Sequence, residues 1–106
     1  MSFLQLKSIT CLKKQDLVGK DKPILKLDGN IVWSGFGFTK DMVRSLENVE
    51  PRKFTNQIEL ELLEQDQGRD DFLGEKVIDD KPESFGVRSV DFTNKGASYK
   101  ITYQVR

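Results

Sequence analysis

Apolar and polar residues alternate along several segments of the chain with a period of two residues. Ile58, Leu60 and Leu62 alternate with two glutamates, and a second alternating segment extends from Tyr99 to Val105. Because successive side chains of a β-strand point to opposite faces of a sheet, each segment predicts a strand with one face in the core. No stretch with helical spacing is long enough to predict a helix. The pattern therefore indicates an all-β protein.

Shorter apolar runs between turn residues predict the remaining strands. The first strand includes Leu4 and Leu6, and its phase shifts near Ser8, which predicts a β-bulge. Gly29 lies between two apolar runs and predicts a hairpin turn, because glycine adopts the backbone angles of tight turns. Further strands are predicted over residues 42–47, 72–78 and 85–92.

About eight short strands with regular turn signals are typical of an antiparallel β-sandwich. We therefore predict an eight-stranded antiparallel sandwich that forms a single domain over residues 1–106. A short aromatic run follows the predicted hairpin, from Trp33 to Phe38. We expect its rings to cap the core, and the alternative is an exposed aromatic contact surface.

Composition narrows the functional class. The 106 residues contain 17 Lys+Arg and 17 Asp+Glu, so the formal net charge is zero and a strongly basic nucleic-acid-binding surface is not expected. The chain contains no histidine, which removes the commonest general base and makes a zinc site improbable. We therefore do not expect an enzyme, and a carboxylate-based glycosidase is a distant alternative.

The expected cellular location of the protein follows from features that the sequence lacks. No apolar run approaches the ~20 residues of a membrane-spanning helix. The N-terminal residues do not resemble a signal peptide. Cys11 is the single cysteine, so no internal disulfide is possible, and we expect it to fill core space on a strand. A cytoplasmic location is the default expectation, with export by a route without a cleaved signal left open.

Two acidic loops carry the candidate chemistry. Four carboxylates lie within the eight residues from Glu64 to Asp71. Such a density of like charge is unfavourable unless a cation lies among it, and calcium takes oxygen ligands from loops of this kind. Glu64 and Asp66 are two residues apart at the end of a strand, so they point the same way. Asp16 and Asp21 lie in an upstream loop, and we predict that the two loops meet and share calcium.

These loops give the chain a resemblance to C2 domains, and more closely to the short C2-like domains of bacterial proteins. The first loop of that family has the form D-x-x-G-x-S-D-P-Y, and residues 16–24 here read DLVGKDKPI. A later loop has the form D-x-D followed by D-D-F-I-G, and residues 64–74 here read EQDQGRDDFLG. The resemblance covers roughly residues 3–78. It implies a C2-like sandwich, with the circularly permuted (type II) topology favoured because the first strand leads into the first loop.

The resemblance also implies a calcium site. The matching ligand positions, with Asp21 and Glu64 as substitutes for the family's aspartates, are Asp16, Asp21, Glu64, Asp66 and Asp71. Lys22 stands where the family has a ligand aspartate before proline, so Asp21 would have to coordinate from one residue earlier. A lysine beside a cation opposes binding, and the site is therefore expected to be weak or partial.

The function implied by the resemblance is that of a binding module. Calcium would order the acidic loops and promote binding to an anionic phospholipid surface or to a protein partner. The alternative is a calcium-independent interaction or structural module that has kept the scaffold and lost the site, as Lys22 suggests. Acidic loops are also commonly solvated turns, because aspartate is a good turn former. The sequence leaves the oligomeric state open.

Overall fold

Two antiparallel sheets pack face to face in the computed structural model, which describes residues 2–13, 21–65 and 70–106. A short 3-10 helix, Pro82–Ser84, precedes the eighth strand. The nine strands of the described residues are β1 (Ser2–Lys13), β2 (Pro23–Leu27), β3 (Asn30–Ser34), β4 (Val43–Ser45), β5 (Arg52–Phe54), β6 (Gln57–Gln65), β7 (Asp70–Asp79), β8 (Gly86–Asn94) and β9 (Ala97–Val105).

The strand order confirms the predicted antiparallel sandwich. One sheet has the order β4-β1-β9-β8, with β5 also paired to β1, and the other has the order β3-β2-β6-β7. The last strand, β9, lies between β1 and β8, and β1 leads into the first acidic loop. This order agrees with the predicted type II topology.

The number of strands differs from the prediction of eight. Arg52–Phe54 forms an additional strand, β5, that pairs with the beginning of β1. Only one of its three residues, Phe54, is buried. A strand this short shows no alternation, so the hydrophobic pattern could not reveal it.

Buried side chains from both sheets form one hydrophobic core. Full burial of a large apolar side chain contributes about 1.5–3 kcal/mol, so this core supplies most of the favourable free energy of folding. The fully buried side chains include Leu4, Leu6, Ile9, Leu25, Leu27, Phe38, Leu46, Ile58, Leu60, Leu62, Phe92 and Tyr99. The domain boundaries at residues 1–106 stay a prediction.

Two local features follow from the sequence as predicted. The β1–β9 pairing shifts register between Leu6 and Ser8, and this bulge lets Ile9 point into the core together with Leu6. The β2–β3 hairpin turns at Asp28 and Gly29, which have φ values of 48° and 83°. Positive φ at both central residues is typical of the tight hairpin turns that match the twist of paired strands.

Candidate functional site

Three of the five predicted calcium ligands lie at the same end of the four-stranded sheet, although their carboxylate oxygens do not all lie within 4.8 Å of one another. Pro23 pairs with Glu64, and Glu64 pairs with Asp71 on the next strand. Directly paired residues of antiparallel strands point to the same face, so the two carboxylates are neighbours on the inner face. Asp21 lies two residues before Pro23, and both residues are buried. We call the end of the sandwich formed by Asp21, Glu64 and Asp71 the loop end.

The other two predicted ligands, Asp16 and Asp66, lie outside the described residues. They belong to segments 14–20 and 66–69, which the structure leaves undescribed. Described residues border both segments at the loop end: Asp21 follows the first and Gln65 precedes the second. The complete ligand set therefore stays a prediction.

A buried hydrogen bond joins the two sheets at the loop end. The Tyr99 hydroxyl on β9 donates to Oδ2 of Asp21 over 2.6 Å, and neither residue is exposed to solvent. Burial raises the pKa of the Tyr99 hydroxyl well above its usual range, and the hydrogen bond to Asp21 and the charge of Asp21 raise it further. Tyr99 therefore remains a donor at any physiological pH. Sequence reasoning missed this tyrosine, which lies 78 residues from Asp21 along the chain.

Cys11 lies beside this pair, opposite Tyr99 in the β1–β9 register. Burial raises the pKa of the Cys11 thiol, a hydrogen bond with Tyr99 lowers it, and the charge of Asp21 raises it. The net direction is upward, so Cys11 stays a neutral thiol that packs in the core, as predicted.

Glu64 is buried and accepts a hydrogen bond from the backbone of Lys22, which follows Asp21. The Lys22 backbone N–H donates to Oε1 of Glu64 over 3.2 Å, and the Gln65 N–H donates to the Lys22 carbonyl over 2.9 Å. The Lys22 side chain is exposed, between the buried residues Asp21 and Pro23. Alternation along this extended segment directs the lysine side chain away from the inner face on which Glu64 lies. Lys22 therefore supports Glu64 through its backbone.

Asp71 already has a cationic neighbour. Lys95, in the turn between β8 and β9, places its Nζ 3.6 Å from Oδ1 of Asp71. The Lys95 side chain is half-exposed, so the pair contributes little to stability. The adjacent Asn94 side chain donates to the Phe72 carbonyl over 3.4 Å, which holds the same turn against β7. Sequence reasoning did not connect this turn with the acidic loops.

The aromatic run divides between the core and the surface. Phe38 is buried and contacts Trp33 edge-on, with ring centroids 6.0 Å apart, so these two rings cap the core as predicted. Phe36 is 72% exposed. The Arg44 guanidinium lies 5.0 Å from the Phe38 centroid and donates to the Phe36 carbonyl over 3.1 Å. Backbone hydrogen bonds between Phe38 and Asp21 place this segment at the loop end.

A second acidic cluster lies on the outer face of the four-stranded sheet and was not predicted. Glu59, Glu61 and Glu75 have carboxylate oxygens within 4.8 Å of one another. Desolvation raises the pKa of Glu59, and so do the neighbouring charges of Glu75 and Glu61. The alternation of Glu59 and Glu61 with leucines places both on one face, but the position of Glu75 depends on a register shift between Leu62 and Leu63. The sequence gives no signal for that shift.

Comparisons with known proteins support the fold. No protein-family model matches the chain, and no curated protein matches it. A solved structure described as that of a C2 domain is similar over 98% of this chain and 96% of its own, with a TM-score of 0.51 and 16% sequence identity. The chain therefore has a C2-like fold, as the loop motifs predicted. Among the described residues, no helix has the length and apolar character needed to cross a membrane.

Removing the Tyr99 hydroxyl should destabilise the protein. We expect Tyr99→Phe to lower the free energy of unfolding by about 1–3 kcal/mol, because the buried Asp21 carboxylate loses a donor. Urea unfolding followed by fluorescence measures the change. Tyr103→Phe is the matched control, since Tyr103 is a buried tyrosine of the same strand with no side-chain hydrogen bond among the described residues. Equal losses in the two variants would contradict the assigned role.

The outer acidic cluster should make stability depend on pH. The raised pKa of Glu59 means that the folded state binds its proton more tightly than the unfolded state, so stability falls as pH rises through that pKa. Glu61→Gln removes a neighbouring charge, and its gain in Tm over wild type should be larger at about pH 7 than at about pH 4. Glu83→Gln, at an exposed position outside the cluster, should show no such difference. A pH-independent gain for Glu61→Gln would exclude charge repulsion as the cause.

Proposed function

We propose that the chain is a C2-like binding module that takes up calcium weakly at the loop end. The proposed ligands are Asp16, Asp21, Glu64, Asp66 and Asp71. The observation that carries the proposal is that three of these carboxylates lie at one end of the four-stranded sheet, with Glu64 and Asp71 directly paired, beside the segments that contain the other two. Calcium prefers six to eight oxygen ligands, and carboxylates from two loops together with backbone carbonyls and water supply that number.

The surroundings of the three described carboxylates support a weak site. Tyr99 engages Oδ2 of Asp21, which reduces the capacity of this carboxylate to bind an ion. Lys95 lies 3.6 Å from Asp71, so an ion must compete with an ammonium group. Glu64 is better placed than Asp21 and Asp71 to bind an ion, because the Lys22 N–H orients its Oε1 and burial lowers the local dielectric.

In the proposed function, calcium orders the acidic loops and promotes binding to an anionic lipid surface or to a protein partner. The exposed Phe36 and Lys40 lie in the segment attached to Asp21 and offer apolar and cationic contacts at the same end. One buried phenylalanine contributes about 1.5–3 kcal/mol, which is too little for stable attachment without the ion. The module acts by binding and not by catalysis, and the proposed location is the cytoplasm.

A calcium-independent interaction module is the second candidate. It is favoured by the partners that the acidic groups already have within the protein. Tyr99 donates to Asp21, the Lys22 backbone donates to Glu64, and Lys95 pairs with Asp71. These contacts stabilise the charges without a metal ion.

Thermal unfolding in excess EDTA and in millimolar calcium tests the proposal, with magnesium as the control ion. A site held at ~100 times its dissociation constant gains ~2.7 kcal/mol, which raises Tm by several degrees in a domain of this size. Asp66→Asn/Asp71→Asn should abolish the rise. Glu59→Gln/Glu61→Gln should retain it, because these residues lie on the outer face.

Two outcomes would contradict the calcium proposal. Absence of any calcium-selective rise would favour the calcium-independent module. A rise that persists in the loop variant and disappears in the outer-face variant would place the ion at the second acidic cluster.

A further inference from the structure

The outer face of the four-stranded sheet combines clustered carboxylates with exposed apolar surface. The strand pairing places four residues in one row across the outer face: Ile31 of β3, Lys26 of β2, Glu61 of β6 and Glu75 of β7. Glu59 lies next to Glu61 on the same face. We call the surface formed by the three glutamates and the exposed apolar residues around them the acidic face.

Lys26 is the cross-strand partner of Glu61 on this face, and it offsets only part of the charge of the three glutamates. The carboxylate oxygens of Glu59, Glu61 and Glu75 lie within 4.8 Å of one another, and none forms an ion pair with a described lysine or arginine. Like charges directly opposite each other on neighbouring strands are destabilising, and Glu61 and Glu75 are such a pair. The whole chain has a formal net charge of zero, so this excess is local. A cationic partner would relieve the repulsion.

Apolar side chains on the same face give an independent indication of a partner. Ile31 and Val77 are 63% and 57% exposed, and Phe72 is 42% exposed. Val77 is paired with Glu59, and Phe72 is paired with Leu63 on the side towards the loop end. The apolar residues therefore flank the carboxylates on opposite sides. A bound ion would leave these side chains in water, whereas a protein surface would bury them.

We propose that the acidic face binds a partner protein through lysine or arginine side chains set among apolar ones. Anionic lipids and nucleic acids carry the wrong charge for this surface. Long cationic side chains suit it, because their hydrocarbon stems pack on apolar residues while their charged ends reach the carboxylates. The interaction does not require calcium at the loop end, so the test of this proposal is independent of the test of the calcium site.

A charged peptide probe tests the proposal. The probe is a fluorescein-labelled peptide of alternating lysine and valine, and the control peptide alternates glutamate and valine. Fluorescence anisotropy in low-salt buffer with EDTA should show saturable binding of the lysine peptide only, with an affinity that falls as salt is added. Glu61→Gln/Glu75→Gln should weaken binding by about tenfold or more. Ile31→Ser/Val77→Ser should weaken it several-fold while leaving the salt dependence unchanged.

Matched controls distinguish an effect of the acidic face from the effects of net charge and of misfolding. Glu47→Gln/Glu83→Gln removes two exposed carboxylates elsewhere and should change the affinity by less than about twofold. Circular dichroism and Tm establish that each variant folds, as expected for side chains on the outer face of the sheet. Absence of saturable binding, or an equal loss in both glutamate variants, would overturn the proposal. Saturable binding of calcium alone that is lost in Glu61→Gln/Glu75→Gln would also overturn it and assign the face to a metal ion.

Discussion

The loop end depends on the hydrogen bond between Tyr99 and Asp21. A buried carboxylate is costly unless donors satisfy it, and the Tyr99 hydroxyl supplies a short one at 2.6 Å from the opposite sheet. Asp21 is also bonded through its backbone to Phe38, which packs against Trp33 and Tyr99. The hydrogen bond therefore holds the start of β2 against the opposite sheet and against the aromatic segment. The β2–β6 pairing in turn determines the position of Glu64. This connection holds Asp21 and Glu64 at the same end of the sandwich.

Side-chain alternation separates the acidic residues of β6 into two groups with different chemistry. Glu64 has the inward phase of Leu60 and Leu62, so it is buried and held by a backbone N–H. Glu59 and Glu61 have the outward phase, so their charges face solvent and repel each other. One strand therefore contributes both to the proposed calcium site and to the proposed docking face. The two surfaces are chemically independent even though they share a strand.

Local patterns predicted most of the fold and part of the site. The strands, the bulge near Ser8 and the turn at Gly29 follow from alternation and turn chemistry, which act over a few residues. The approach of Glu64 to Asp71 also followed, because two strands joined by one short acidic loop must place these residues close together.

Contacts between distant elements were not predictable. Tyr99 bonds to Asp21 across the two sheets, Lys95 approaches Asp71 from another hairpin, and Glu75 reaches Glu61 through a register shift. Each depends on how whole strands are placed, and no local sequence signal specifies that placement. The sequence also gave no indication that the Lys22 backbone holds Glu64 while the Lys22 side chain is exposed.

In the proposed function the loop end, and not the outer face, responds to calcium. Calcium titration of the ¹⁵N-labelled protein, followed by amide chemical shifts in NMR spectra, tests it directly. The amide of Lys22, which donates to Glu64, and the amide of Asp71 should shift with a single dissociation constant, while those of Glu61 and Glu75 stay unchanged. Shifts centred on Glu61 and Glu75, or no saturable shift at all, would contradict the claim.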